Sequence, residues 1–493
     1  MTAPSDTATP LLLRTARSLR DALDRREISA VELLDEQLVR YEALNPSLNL
    51  VVATDIEGAR AAAKAADAAM ARGEAGPLAG IPMTIKDVFE VVGMPATCGI
   101  PELAEHRPAR DADAVEALRA AGAVIWGKTN VPTGAVDHQS FNPIYGISRN
   151  PWNLDRTTGG SSGGAAAAVA AGLTSIELGS DIGGSIRVPS HFCGVYGSKP
   201  SWGVVSGRGH IPPMPGARGK TPLGVYGPIA RSAFDLEWVL DIIVGPDDLD
   251  RKAYSIALPP SRHKRIGDFR IGLWLDAYPL DDAYRNAIEI FVDRIERIGA
   301  KVDRNARPNV DPSINFDTYL AVLMALEGAG APDNAYAEQV AAGEAAEPGS
   351  YAAVIGKAMS QNVRSLGAAE ERRHAIMAQW RAFFADYDLL ICPIFPCVAF
   401  PHDPSGNGHM AQYDRRLIVN GKPIPYLDGL KWPGLATLSE LPATAVPTGI
   451  LADGLPTGVQ IIAPYLEDRT TLRFAQLLER ELGSGYRVPP GCD

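Results

Sequence analysis

The chain opens with a helical period. Val31, Leu34, Leu38 and Tyr41 recur on one face behind Ser29-Ala30-Val31-Glu32, which has capping-box spacing, and Asn45-Pro46 is expected to end the run. Leu48 to Thr54 then reads as a strand and the alanine-rich stretch Gly58 to Arg72 as a helix with a small-residue packing face. Short apolar runs follow at Pro82 to Ile85, Ala123 to Trp126, Ser175 to Leu178, Arg270 to Leu275, Asp388 to Cys392 and Gly458 to Ile462. Most are separated by helical patterns, notably Asp113 to Ala121, Ser162 to Ala171, Asp282 to Ile298 and Ala368 to Ala385. Such alternation predicts an α/β fold, a mixed, mainly parallel sheet covered by helices on both faces. Two Gly- and Pro-rich segments without an apolar period interrupt it, Ser206 to Pro228 and Pro393 to Asp414, and read as long ordered loops.

Composition narrows the class. The chain has 493 residues and a net charge of −11, too acidic for a general nucleic-acid binder. Its 46% hydrophobic content supports a large core, and no apolar run approaches the length of a membrane span. Length alone suggests about three domains, but no linker supports that division, so residues 1–10 read as a loose tail and 11–493 as one domain. The N-terminus lacks a signal peptide's basic region and cleavage site. Five scattered cysteines suit a reducing cytoplasm, with Cys392 and Cys397 read as free thiols. Glycine is the exception: 17 of 48 glycines fall between Gly159 and Gly227, so that region needs unusual backbone geometry.

The eight histidines include no metal-ligand spacing, and there is no P-loop, dinucleotide fingerprint or GxSxG elbow. No metal and no cofactor is expected. The strong signal is Thr157-Thr158-Gly159-Gly160-Ser161-Ser162-Gly163-Gly164, then Gly179-Ser180-Asp181-Ile182-Gly183-Gly184-Ser185-Ile186-Arg187. Each run abuts a strong helix or strand signal, where flexible linkers are not found. Gly183 and Gly184 let consecutive N–H groups turn toward one point, and a serine closing such a nest can be a nucleophile with its oxyanion hole built in. Its base is less obvious. His191 reads as structural. Lys86 interrupts the apolar run Leu78 to Val92, where desolvation can strip its proton and make it a base. A lysine that snorkels or pairs with Asp87 remains the other reading.

Three linked segments, IPMTIKD around Lys86, GGSSGG at Gly159 to Gly164 and GSDIGGSIRVPS at Gly179 to Ser190, resemble the amidase signature family in order and separation. The resemblance continues through CGVYGSKPSWG to the C-terminal GLPTGVQIIAPYLEDRTTL, covering nearly the whole chain. It implies a single α/β/α amidase domain over 11–493, with a signature core at about 80–230, and a Ser-cisSer-Lys triad. By carry-over Ser185 attacks, Ser161 relays the proton across a cis peptide, and Lys86 is the base. The same resemblance places the oxyanion hole on the N–H groups of Ile182, Gly183, Gly184 and Ser185, with Ser162, Asp181 and Arg187 holding the loops.

The segment NGKPIPYLDGLKWPG resembles the branch of aryl acylamidases, nylon-oligomer hydrolases and urethanases, implying bulky, uncharged linear amides or carbamates as small-molecule substrates. Pocket candidates are Gly134, Val136, Asp137, Gln139, Phe141, Pro213, Met214 and Phe395, with the 206–228 loop as a lid latched by Arg208 and Arg218. A cytoplasmic monomer or homodimer without nucleic-acid or membrane partners is expected. Two alternatives stand beside this: a glutamine amidotransferase A-type subunit supplying ammonia to a partner, and a catalytically idle scaffold.

Overall fold

The computed structural model describes residues 9–217, 219–406, 408–483 and 485–493. Eleven strands form one sheet. In chain order they are β1 (Val51–Thr54), β2 (Pro82–Lys86), β3 (Val124–Thr129), β4 (Ile176–Asp181), β5 (Tyr196–Lys199), β6 (Val225–Ala230), β7 (Arg270–Leu273), β8 (Lys301–Asp303), β9 (Leu389–Pro393), β10 (Ala443–Ile450) and β11 (Pro456–Ile462). Their order across the sheet is β1-β3-β2-β4-β6-β5-β10-β11-β9-β7-β8.

The sheet is mixed. Parallel pairing, as strand–helix alternation implies, occurs at β3–β2–β4 and at β9–β7–β8, while the middle strands pair antiparallel. Every residue of β2, β3, β4, β6, β9 and β11 is buried. Successive side chains point to opposite faces, so both faces of these strands are covered. That explains why they read as continuous apolar runs rather than alternating ones.

The helix Ala30–Leu48, which follows a shorter one at Ala16–Asp24, has the expected reciprocal capping box, but it continues through Pro46 instead of stopping there. Pro46 falls in the last turn, two residues before the helix ends at Leu48, so little helix is left beyond it to disrupt. Asn49 in a left-handed conformation ends the helix, and Asn45 Oδ1 accepts the N–H groups of Leu50 and Val51. The expected loop 206–228 is also shorter, because Val225–Ala230 pairs with β4 as β6. Of the expected 1–10 tail only residues 9 and 10 are described, and Arg218 lies outside the described residues.

Between the glycine-serine runs sits the helix Gly163–Ala170, wholly buried. Its small residues are what permit that depth: a Cβ at Gly164 would lie 2.5 Å from the Asn130 backbone nitrogen. A second, smaller apolar cluster joins Val188, Phe192, Phe395 and Tyr426 beside the main core.

Candidate active site

Lys86 ends β2 and Asp181 ends its parallel neighbour β4, which places both at the edge where open α/β sheets hold ligands. Lys86 is fully buried, with Nζ 2.7 Å from Ser161 Oγ and 3.0 Å from Ser180 Oγ. Asp87 does not pair with it; that carboxylate holds the buried Lys128 at 3.0 Å. Desolvation pushes the Lys86 ammonium down to about 7, against the opposing pull of Cys98, Asp181 and Glu177. Glu177, on β4 opposite Thr84, accepts hydrogen bonds from Thr84 and from Thr129 at 3.3 Å. Burial raises its carboxyl to about 8, against the lowering effect of the Thr84 and Thr129 hydrogen bonds.

The Gly160–Ser161 peptide is cis. Ser140 braces this turn from behind, donating to Gly159 O at 3.0 Å and accepting the Gly163 N–H at 3.1 Å. The Ser162 N–H donates to Ser185 O at 3.1 Å, drawing the turn against the second motif. Ser162 Oγ donates to Ser180 O at 3.3 Å. Ser140 is not marked as a site residue by the sequence, since an isolated serine far from the turn it supports has no local pattern, and Ser180, though inside the second motif, is not singled out there.

Beyond β4 the chain reverses through Gly184, whose φ of +99° and close contact with Pro433 admit no side chain. Asp181 organises the reversal: its carboxylate accepts the N–H groups of Gly184 at 2.9 Å, Ile186 at 3.1 Å and Arg187 at 3.3 Å. Of the four N–H groups expected in the nest, that of Gly184 is therefore engaged, while Ile182, Gly183 and Ser185 have no hydrogen-bond acceptor among the described residues. Arg187, fully buried, pairs with Asp181 at 2.8 Å and donates to Pro433 O, Gln460 Oε1 and Thr437 Oγ1. Burial alone would raise the Asp181 carboxyl, but Arg187 holds it at about 2. Tyr319 Oη donates to Ile182 O at 2.7 Å, fixing the other side of the nest. Ser185 is 7% exposed.

The pocket candidates divide. Asp137 is corrected: its carboxylate points away from solvent to Arg415 at 2.5 Å and to the Tyr426 hydroxyl, so it is not free for a ligand. Gln139 is likewise engaged, exchanging two hydrogen bonds with the Asp403 backbone. Phe141 and Phe395 are buried, the latter edge-on to His138 at 5.1 Å. Burial lowers His138 to about 4, keeping its ring neutral. Gly134 and Val136 are partly buried, as is Pro213, and Met214 is exposed. Arg208, on the 206–224 loop, forms an ion pair with Asp113 and donates to Asp111 O at 2.7 Å. That loop also donates from Ile211 N–H to Val88 O at 2.7 Å, two residues beyond Lys86. His191 is structural, as expected, accepting from Gly458 N–H at 2.8 Å and stacking on Tyr284. The five cysteines are free and buried. Among the described residues no cluster of three or more His, Cys, Asp or Glu forms a metal site, and no helix is long and apolar enough to cross a membrane.

Comparison with known proteins agrees with this geometry. The amidase family model matches residues 32–472. Among curated proteins, the A subunit of the glutamyl-tRNA(Gln) amidotransferase of Roseiflexus sp. (strain RS-1) is 33% identical over 502 aligned positions, covering 96% of this chain and 98% of that one. Among solved structures, a bacterial aryl acylamidase superposes with a TM-score of 0.81 at 26% identity, covering 98% of this chain and 99% of that one. The 6-aminohexanoate cyclic dimer hydrolase gives 0.77 at 27% identity, again over 98% and 99%.

Proposed function

This chain belongs to the amidase signature family, and from that premise we propose that it hydrolyses carbonyl C–N bonds through an acyl-enzyme on Ser185. The observation that carries the reading is a fully buried lysine, with no carboxylate partner among the described residues, 2.7 Å from the hydroxyl of Ser161. With its pKa lowered to about 7, Lys86 carries a usable population of free amine at neutral pH. Lys86 draws a proton from Ser161 as Ser161 takes one from Ser185, and Ser185 Oγ attacks the carbonyl carbon. The developing oxyanion meets the N–H groups of Ile182, Gly183 and Ser185, donors of a kind worth roughly 3 kcal/mol each in the transition state. The proton returns through Ser161 to the departing nitrogen, a poor leaving group until protonated. Water then repeats the sequence on the ester.

Two substrate readings follow. The first takes neutral, bulky amides or carbamates. It is supported by charged side chains of little exposure that are already committed to one another: Asp181 with Arg187 beside the nest, Asp137 with Arg415 behind Gly160, and Asp428 with Lys431. Such a site offers little to the amino and carboxylate groups of a free amino acid. The second reading is the glutamine-hydrolysing component of an amidotransferase. It is supported by whole-length curated relatives that carry that name, and the relatives favour it over the first. Under it the chain acts with partner proteins on an aminoacyl-tRNA, and the expectation of no nucleic-acid partner, drawn from net charge, does not hold. Assays of the purified chain on a p-nitroanilide, an aryl carbamate, a primary aliphatic amide and glutamine separate the two. Turnover of the first two supports the neutral-substrate reading; turnover of glutamine alone, raised by a partner protein, supports the other. A pure, folded protein that turns over none of the four and takes up no fluorophosphonate is an idle scaffold.

A further inference from the structure

We propose that Asp137 and Arg415 are positioning residues for Ser161, acting through a clamp that the segment 403–415 closes on residues 136–139. The inference rests on the proposed role of Ser161. Arg415 and Asp137 are both almost fully buried and 2.5 Å apart. Arg415 also forks to the carbonyls of Ser405 at 2.9 Å and Gly406 at 3.0 Å, and its guanidinium lies over the rings of Phe141 and Tyr426. Tyr426 Oη donates to the second carboxylate oxygen of Asp137. On either side of this pair, Gln412 Nε2 donates to Val136 O at 2.7 Å, and Gln139 exchanges bonds of 3.1 and 2.8 Å with the Asp403 backbone. Three of four consecutive residues are thus tied to one distant segment.

The opposite side of the same tetrapeptide bears on the serine. A Cβ at Gly160 would lie 2.2 Å from Asp137 O and 2.8 Å from Gln139 N, so the Gly160 Cα rests directly on the main chain of 137–139. Gly160 carries the carbonyl of the peptide leading to Ser161, whose hydroxyl faces Lys86. A buried ion pair adds little net stability over a well-packed apolar pair, so what it contributes here is geometry. Loosening the clamp lets 137–139 shift and carries Gly160 and Ser161 with it.

The test measures the rate at which a fluorophosphonate labels Ser185 in the full-length protein, together with the final stoichiometry and the melting temperature. Arg415→Met and Asp137→Asn should label roughly 10- to 100-fold more slowly, the loss expected from a displacement of about 1 Å, with the final stoichiometry kept. Arg415→Lys, which retains the charge without the fork to Ser405 and Gly406, should recover part of the rate. Gln412→Ala leaves the buried charges intact and should slow labelling by a smaller factor. Wild-type rates in these variants, with only the melting temperature lowered, overturn the inference and leave the proposed function standing. A wild-type protein that takes no label overturns the proposed function, and this inference with it.

Discussion

Replacing Lys86 by methionine tests the neutral lysine through stability alone, with no substrate needed. Burial lowers the Lys86 pKa from 10.5 to about 7, whereas in the unfolded chain the ammonium persists to about 10.4. Between these values unfolding takes up a proton. The stabilising contribution of a neutral Lys86 is therefore complete above the unfolded pKa and is lost as the pH falls to about 7. A gap of about 3.5 units amounts to ~5 kcal/mol across the window, or ~1.4 kcal/mol per pH unit. Methionine fills similar volume and binds no proton. Urea unfolding at about pH 7.5 and about pH 9.5 should thus show the wild type gaining ~2 to 3 kcal/mol more than Lys86→Met on moving to the higher pH. Parallel pH dependence in the two proteins would refute the neutral lysine, because an ammonium retained in the fold adds no such slope.

Three further outcomes follow from the same contacts. Acylation of Ser185 by a fluorophosphonate should rise by about tenfold per pH unit below about 7 and level off above it, as the Lys86 amine is freed; a rate flat from about pH 5 to 8 would remove Lys86 as the base. Asp181→Asn leaves the buried Arg187 without its counter-charge and weakens three backbone hydrogen bonds, at a cost of roughly 3 to 5 kcal/mol. Calorimetry should show a large fall in melting temperature, and a near-native value would contradict the bracing role. Gly184→Ala must place a methyl group 2.7 Å from Pro433 at a φ of +99°. Its labelling rate should drop by roughly 100-fold as the nest is displaced, and an unchanged rate would show that the nest is not the oxyanion site.

Much of the site is legible in the sequence because its chemistry depends on local backbone. Lys86 stands out as a charge inside an apolar run, and it ends the wholly buried strand Pro82–Lys86 within that run. Gly183 and Gly184 stand out as a place where consecutive N–H groups can turn toward one point, and the chain does reverse there, held by Asp181 from within the same motif. What escapes is what depends on contacts between remote segments. Arg415 meets Asp137 across 278 positions, so Asp137 reads as a pocket residue rather than as half of a clamp. Ser140 braces Gly159 from 19 residues away with nothing around it to mark the role. The antiparallel centre of the sheet is hidden for a related reason: β5 pairs with β10 from far along the chain, β6 lies within a segment that reads as a loop, and apolar runs carry no direction. Pro46 misleads because a proline's missing donor reads as a stop, whereas Asn49 ends the helix three residues later.

The central claim is that Ser185 is the nucleophile and Lys86, acting through Ser161, its base. Peptide mass spectrometry of the fluorophosphonate-treated protein tests it most directly. The expected result is one adduct, on Ser185, absent from Ser185→Ala and formed several decades more slowly in Lys86→Ala. An adduct on another residue, or a Lys86→Ala protein labelled at the wild-type rate, would contradict it.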